Sequence, residues 1–166
     1  MIDEAEKARA EQRVAIAKDA LAWEKAGALK INDQYYLRSV ATGTSFSFYD
    51  NFRREDANKQ ARDIVLGKCQ VCALGSLLLA KAVRYNAVSV QDIADIRIDR
   101  LTDHFSVEQI NQIEAAFEGH SYSSANGTYL DDEVCNESWK AKYPDPSKRF
   151  RAIMKNIIRN KGTFVP

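Results

Sequence analysis

The chain reads as one mainly α domain, a helical bundle around a single buried helix. Three observations predict this. The stretch from Gly67 to Val83 is apolar on nearly every side from Val71 onward, with Val71, Leu74 and Leu78 on one helical row and Cys72, Leu79 and Val83 on another. A helix apolar all round belongs in a core or a membrane. This run, closed by Lys81 and Arg84, is too short to span a bilayer, so it is expected as a central helix over about 71–84. Second, amphipathic helical patterns recur on both sides of it. Third, the chain holds 166 residues, enough for one sizeable core, and shows no repeat, linker or low-complexity tract. One domain over 1–166 is the economical reading.

Taken in order, Asp3 to Gly27 is a long amphipathic helix. Asp3 is its expected N-cap, Glu6 completes a capping box, and Gly27 suits the C′ position. Val14, Ala17 and Leu21 form one apolar row, and Ile16, Ala20 and Trp23 its neighbour. The segment 35–49 is rich in aromatic and β-branched residues around a Gly-containing turn, and Phe46 and Phe48 alternate with serines. It is the one β-hairpin the sequence suggests. A polar stretch follows, then a short helix signalled by Ala61, Ile64 and Val65.

Beyond the central helix, Ser89 to Asp92 resembles a helix start, with Ile93 and Ile96 facing inward. The clearest local signal comes next. Ser106 is an N-cap with Gln109 three residues on, and Phe105 and Ile110 are spaced for a hydrophobic staple. Ile110, Ile113 and Phe117 form the buried stripe, and Gly119 ends the helix. Residues 120–128 are expected as an exposed loop. Residues 131–141 read as a short helix bearing Cys135 and Trp139, ended by Pro144. Asp145-Pro146 opens the last helix as cap and first helical residue. Phe150, Ile153, Met154, Ile157 and Ile158 are its apolar face, and Gly162 closes it.

Net charge is +1, so binding to nucleic acid or a membrane surface would need a local basic patch. The charged opening residues lack the apolar segment of a signal peptide, and three cysteines are an odd count for a secreted disulfide framework. Both point to a reducing, cytoplasmic setting.

Chemistry concentrates at Cys69-Gln-Val-Cys72, placed by this reading at the start of the central helix. Amide groups there lower a thiol's pKa, which suits a nucleophile or a redox pair. A cysteine-dependent hydrolase or transferase would use Cys69 or Cys72 with His120 or His104 as base. The βαβ context of a thioredoxin-type pair is not apparent. A zinc-stabilised module would add Cys135 and one histidine to Cys69 and Cys72, but a second closely spaced ligand pair is missing, so no metal site is assigned. The plain alternative makes Cys72 a small apolar core residue.

Two further groups suggest binding. Lys148, Arg149, Arg151, Lys155, Arg159 and Lys161 occur with no acid between Ser147 and Gly162, so Arg149, Arg151 and Lys155 are candidate anion-binding residues. The competing reading is a solvated face that suits the helix dipole. Tyr35 and Tyr36, with Phe46, Phe48 and Tyr49, are candidates to line a pocket for a planar, nucleotide-like ligand, although such clusters are more often core. No Walker loop, Gly-rich dinucleotide loop, His-Glu-x-x-His or Gly-x-Ser-x-Gly is present, and no motif names a cofactor.

The segments Cys72-Ala-Leu-Gly-Ser-Leu77, Phe105-Ser-Val-Glu-Gln109, Ile113-Glu-Ala-Ala-Phe-Glu118 and Asn156 to Phe164 resemble small uncharacterised proteins of bacteria and their phages. The resemblance implies a bacterial or phage cytosol and carries no activity to any residue. With no complete catalytic constellation, the leading expectation is an intracellular binding protein for a protein partner or a small ligand, such as a phage-encoded modulator of a host system.

Overall fold

The structure, a computed structural model, describes residues 3–33, 37–39, 69–85, 101–123 and 129–166. The architecture is mainly α. In chain order the elements are α1 (Glu4–Lys25), β1 (Leu29–Ile31), β2 (Leu37–Ser39), β3 (Cys69–Val71), α2 (Ala73–Tyr85), α3 (Val107–Glu118), β4 (His120–Ser123), β5 (Tyr129–Cys135), α4 (Glu137–Lys142) and α5 (Pro146–Arg159). The short helices expected near 61–65 and 89–96 lie outside the described residues.

α1 begins where Asp3 accepts a hydrogen bond from the Ala5 N–H. Glu6 does not serve the cap as expected. Its carboxylate receives Arg9 (2.9 Å) and Arg13 (2.6 Å), which outbid a neutral amide as donors. The apolar buried side of α1 is Ile16, Ala17, Ala20 and Leu21, and it lies against both α2 and α5.

β3 is the middle strand of a three-stranded mixed sheet in the order β1-β3-β2. β1 pairs with it in parallel (Ile31 opposite Val71) and β2 antiparallel (Leu37 opposite Val71). This corrects the sequence reading at the start of the central helix. The central helix starts at Ala73, not Val71, because Cys69–Val71 is spent on the sheet. β2 also takes its partner from β3; the rest of the 35–49 hairpin, including Tyr35 and Tyr36, lies outside the described residues.

α2 is buried as its composition demands: every residue from Ala73 to Ala82 is inaccessible to solvent. Lys81, which in sequence closes the apolar run, is itself fully buried, and its Nζ reaches Asp103 Oδ2 at 2.9 Å. A cation is tolerated at such a place only when paired. α2 packs on α1 and α3.

α3 opens at Ser106, whose Oγ accepts from the Gln109 N–H (3.2 Å), and ends at Gly119 with φ +98°. Gln109 does not reciprocate in the expected capping box. Its side chain clamps the backbone of Phe164, accepting from the N–H (2.6 Å) and donating to the carbonyl (3.0 Å). The staple residues Phe105 and Ile110 are both buried.

The region after Gly119 departs most from expectation. Residues 120–123 and 129–135 form an antiparallel ribbon, where the sequence suggested a loop and then a helix. The helix begins only at Glu137. α5 follows expectation: Asp145 caps it, accepting from the Lys148 N–H at 2.7 Å, with Pro146 in its first turn. Phe150, Ile153, Met154 and Ile157 are fully buried. After α5 the chain turns at Gly162 (φ +93°), where a Cβ would come within 2.5 Å of the Ala10 carbonyl oxygen on α1. Only glycine fits there.

Candidate functional site

The two cysteines of the Cys-x-x-Cys do not share a helix start. Cys69 is the first residue of β3, and Cys72 occupies the one-residue joint between β3 and α2. Cys72 is 1 % exposed, and its Sγ accepts from the Gly75 N–H at 3.4 Å. Burial drives the thiol pKa well above its usual range, and Glu118 and Glu114 push it further. The amides of α2 oppose this shift and lose. Cys72 is therefore a neutral core thiol and a cap acceptor, unsuited to the nucleophile role the sequence offered.

The histidines also separate. His104 lies in the turn before α3, where its N–H bonds to the Leu101 carbonyl and its ring stacks on Tyr85 at 5.3 Å. Burial, then the nearby Lys81, lowers its pKa and favours the neutral ring. His120 opens β4 directly opposite Cys135, remote in the chain from the residues it was expected to serve. Among the described residues no group of three or more His, Cys, Asp or Glu side chains is placed to hold a metal ion.

A buried polar group lies below α3, and sequence reasoning missed most of it. Glu118 has its pKa raised to about 7, first by burial and then by Glu114 and Asp33, against the pull of Lys140 and Arg149. Ser121 Oγ donates a short hydrogen bond to Glu114 Oε2. Arg149 is fully buried, so it does not belong to the exposed basic face of its helix. Its Nη1 donates to the carbonyls of Tyr143 (2.9 Å) and Pro144 (3.4 Å), and Nη2 stands 3.6 Å from Asp33 Oδ2. The guanidinium also lies over the Phe117 ring at 5.0 Å. This is a joint that ties α5 to α3 and the end of β1. One sequence signal pointed to it: Glu114 and Glu118 are like charges four apart at a helix C-terminus, a locally unfavourable arrangement that needs a tertiary reason.

The exposed cations of α5 remain. Lys148, Arg151, Lys155 and Arg159 follow one another at three- and four-residue steps along a single stripe about 16 Å long. With Lys142, Trp139 and Tyr143 from the α4 segment, they line an open groove of about 780 Å³ that contains no carboxylate side chain. Arg151 is held by both oxygens of Glu24 at 2.6–3.0 Å. Lys148, Lys155 and Arg159 make no ion pair with any other described residue. Lys142 lies over the Tyr143 ring at 5.5 Å, and Trp139 packs on Tyr143 and Phe164 at 5.4 and 5.2 Å, so both aromatics are fixed and half-buried.

Among the described residues no helix is long and apolar enough to cross a membrane. No protein-family model matches the chain, and no curated protein or solved structure matches it at a significant level.

Proposed function

We propose that this chain is a binding protein whose groove between α4 and α5 takes a phosphate-bearing, nucleotide-like ligand. The carrying observation is the stripe of Lys148, Lys155 and Arg159, three cations in no ion pair among the described residues, beside two positioned aromatic rings in a groove lined by no acidic side chain among those residues. The groove's volume falls within the range of small-ligand sites, about 300–1,000 Å³. Such cations favour anionic oxygens, and the edges of Trp139 and Tyr143 offer edge-to-face contact for a planar base. In this role the protein acts in the cytosol without turnover, as a modulator of a host or phage process.

The competing hydrolase reading needs a thiolate at Cys69 or Cys72 where the central helix begins. Cys69 lies in β3 instead, and the burial of the Cys72 thiol and its upward pKa shift argue against that residue. Calorimetric titration with ATP and with tripolyphosphate at low salt tests the proposal. Both are expected to bind, ATP more tightly because of its base. Affinity should fall with added salt, and by about tenfold or more in a Lys155→Glu/Arg159→Glu protein, since each charged hydrogen bond contributes roughly 1.5–3 kcal/mol. No binding heat at millimolar ligand, or equal affinity in the variant, would sink it.

A further inference from the structure

The third cysteine, rather than the first two, is the one placed opposite a histidine. Cys135 is in no disulfide and is exposed at the end of β5. Its register partner across the ribbon is His120. One step further along, the Asn136 N–H donates to the Gly119 carbonyl at 2.9 Å, making Gly119 and Asn136 the hydrogen-bonded pair. His120 and Cys135 are therefore a non-hydrogen-bonded pair, the position where facing side chains of an antiparallel ribbon approach most closely. Their side chains leave the same face of the ribbon, with Cβ atoms about 4.5–5.5 Å apart by that geometry. An exposed thiol facing an imidazole is an environment in which cysteines become reactive.

We infer that Cys135 and His120 form a reactive thiol–imidazole pair that exchanges with low-molecular-weight disulfides. The imidazole accepts the Sγ proton. The thiolate attacks one sulfur of the small disulfide, a new S–S bond forms to Cys135, and the old S–S bond breaks. The departing thiolate takes the proton from the imidazolium and leaves as a free thiol. Cys135 is oxidised to the mixed disulfide while the other half of the reagent is reduced. Buried Cys72 takes no part.

The test uses the full chain with oxidised glutathione at pH 7, with modification at each cysteine followed by peptide mass spectrometry. Cys135 is expected to react about fivefold or more faster in the folded protein than in the urea-unfolded chain, and His120→Gln should remove the difference. Equal rates folded and unfolded, or a rate unaffected by His120→Gln, would overturn the inference. The wild-type pH–rate profile needs no substitution: its rise should begin at lower pH in the folded than in the unfolded protein, and coincident profiles refute the pair.

Discussion

α2 and α5 are both long helices at the centre of the packing, but they are held in opposite ways. α2 is covered on every side, so nothing in its own residues distinguishes one face from another. α5 buries Phe150, Ile153, Met154 and Ile157 along one side and presents Lys148, Lys155 and Arg159 along the other. The first is positioned by its neighbours, the second by its own pattern. Each also buries one cation, solved by different chemistry. Lys81 on α2 is a point charge met by the Asp103 carboxylate at 2.9 Å. Arg149 on α5 divides its planar group between two carbonyls, an ion pair at 3.6 Å and an aromatic ring. Burial therefore dominates at α2, and the two proposed activities fall to the outer surface of α5 and to the ribbon.

The largest test of that contrast is Leu77→Ala at the centre of α2. Leu77 has no exposed surface, and the truncation should destabilise the protein by about 2–5 kcal/mol in urea unfolding. A loss below about 1 kcal/mol would mean that α2 is not closely packed all round. Next in size is Gly162→Ala, where α5 passes into its close contact with α1. A methyl group there meets the Ala10 carbonyl in a left-handed conformation, and a loss of roughly 1–3 kcal/mol is expected. A thermal melt indistinguishable from wild type would deny that contact.

A smaller effect is expected at Glu118, at the joint beside Arg149. Its folded-state pKa is raised to about 7 from an ordinary 4.5. Between those values the folded protein holds a proton that the unfolded chain has released. Stability from this group is full below about pH 4.5 and declines as pH rises towards 7. Glu118→Gln should flatten that part of the stability–pH curve, and parallel curves for the two proteins would contradict it. The smallest change is Lys155→Ala on the outer stripe of α5, expected to alter stability by no more than about 0.5 kcal/mol. A larger loss would show that the stripe supports the fold rather than a ligand.

Several elements were legible because their signals are local. Asp3, Ser106 and Asp145 cap the helices they were expected to cap, and Gly119 and Gly162 end them. The apolar stripe of α3 is buried as its spacing required, and so is that of α5 except for Ile158, which is half-buried. The errors fall where identity depends on a partner. A three-residue segment such as Cys69-Gln-Val71, leading into an apolar run, can belong to a strand or to the first turn of the helix, and periodicity does not separate them. The His120 and Tyr129 segments carry polar and acidic residues that suit a loop or helix end, and only pairing with each other makes them strands.

By itself the sequence determined a mainly α protein, the helix caps, the burial of the mid-chain helix and the one-sided charge of the last one. Caps and amphipathic stripes are written in residues within one or two turns of each other, so the local chain carries them. Tertiary structure alone decided that Val71 lies beside Ile31 and Leu37, that Arg149 is withdrawn from the basic surface towards Asp33, and that the exposed thiol faces a histidine at Cys135 rather than at Cys72. Desolvation and strand pairing act between residues far apart in the chain, and their outcome exists only once those residues meet.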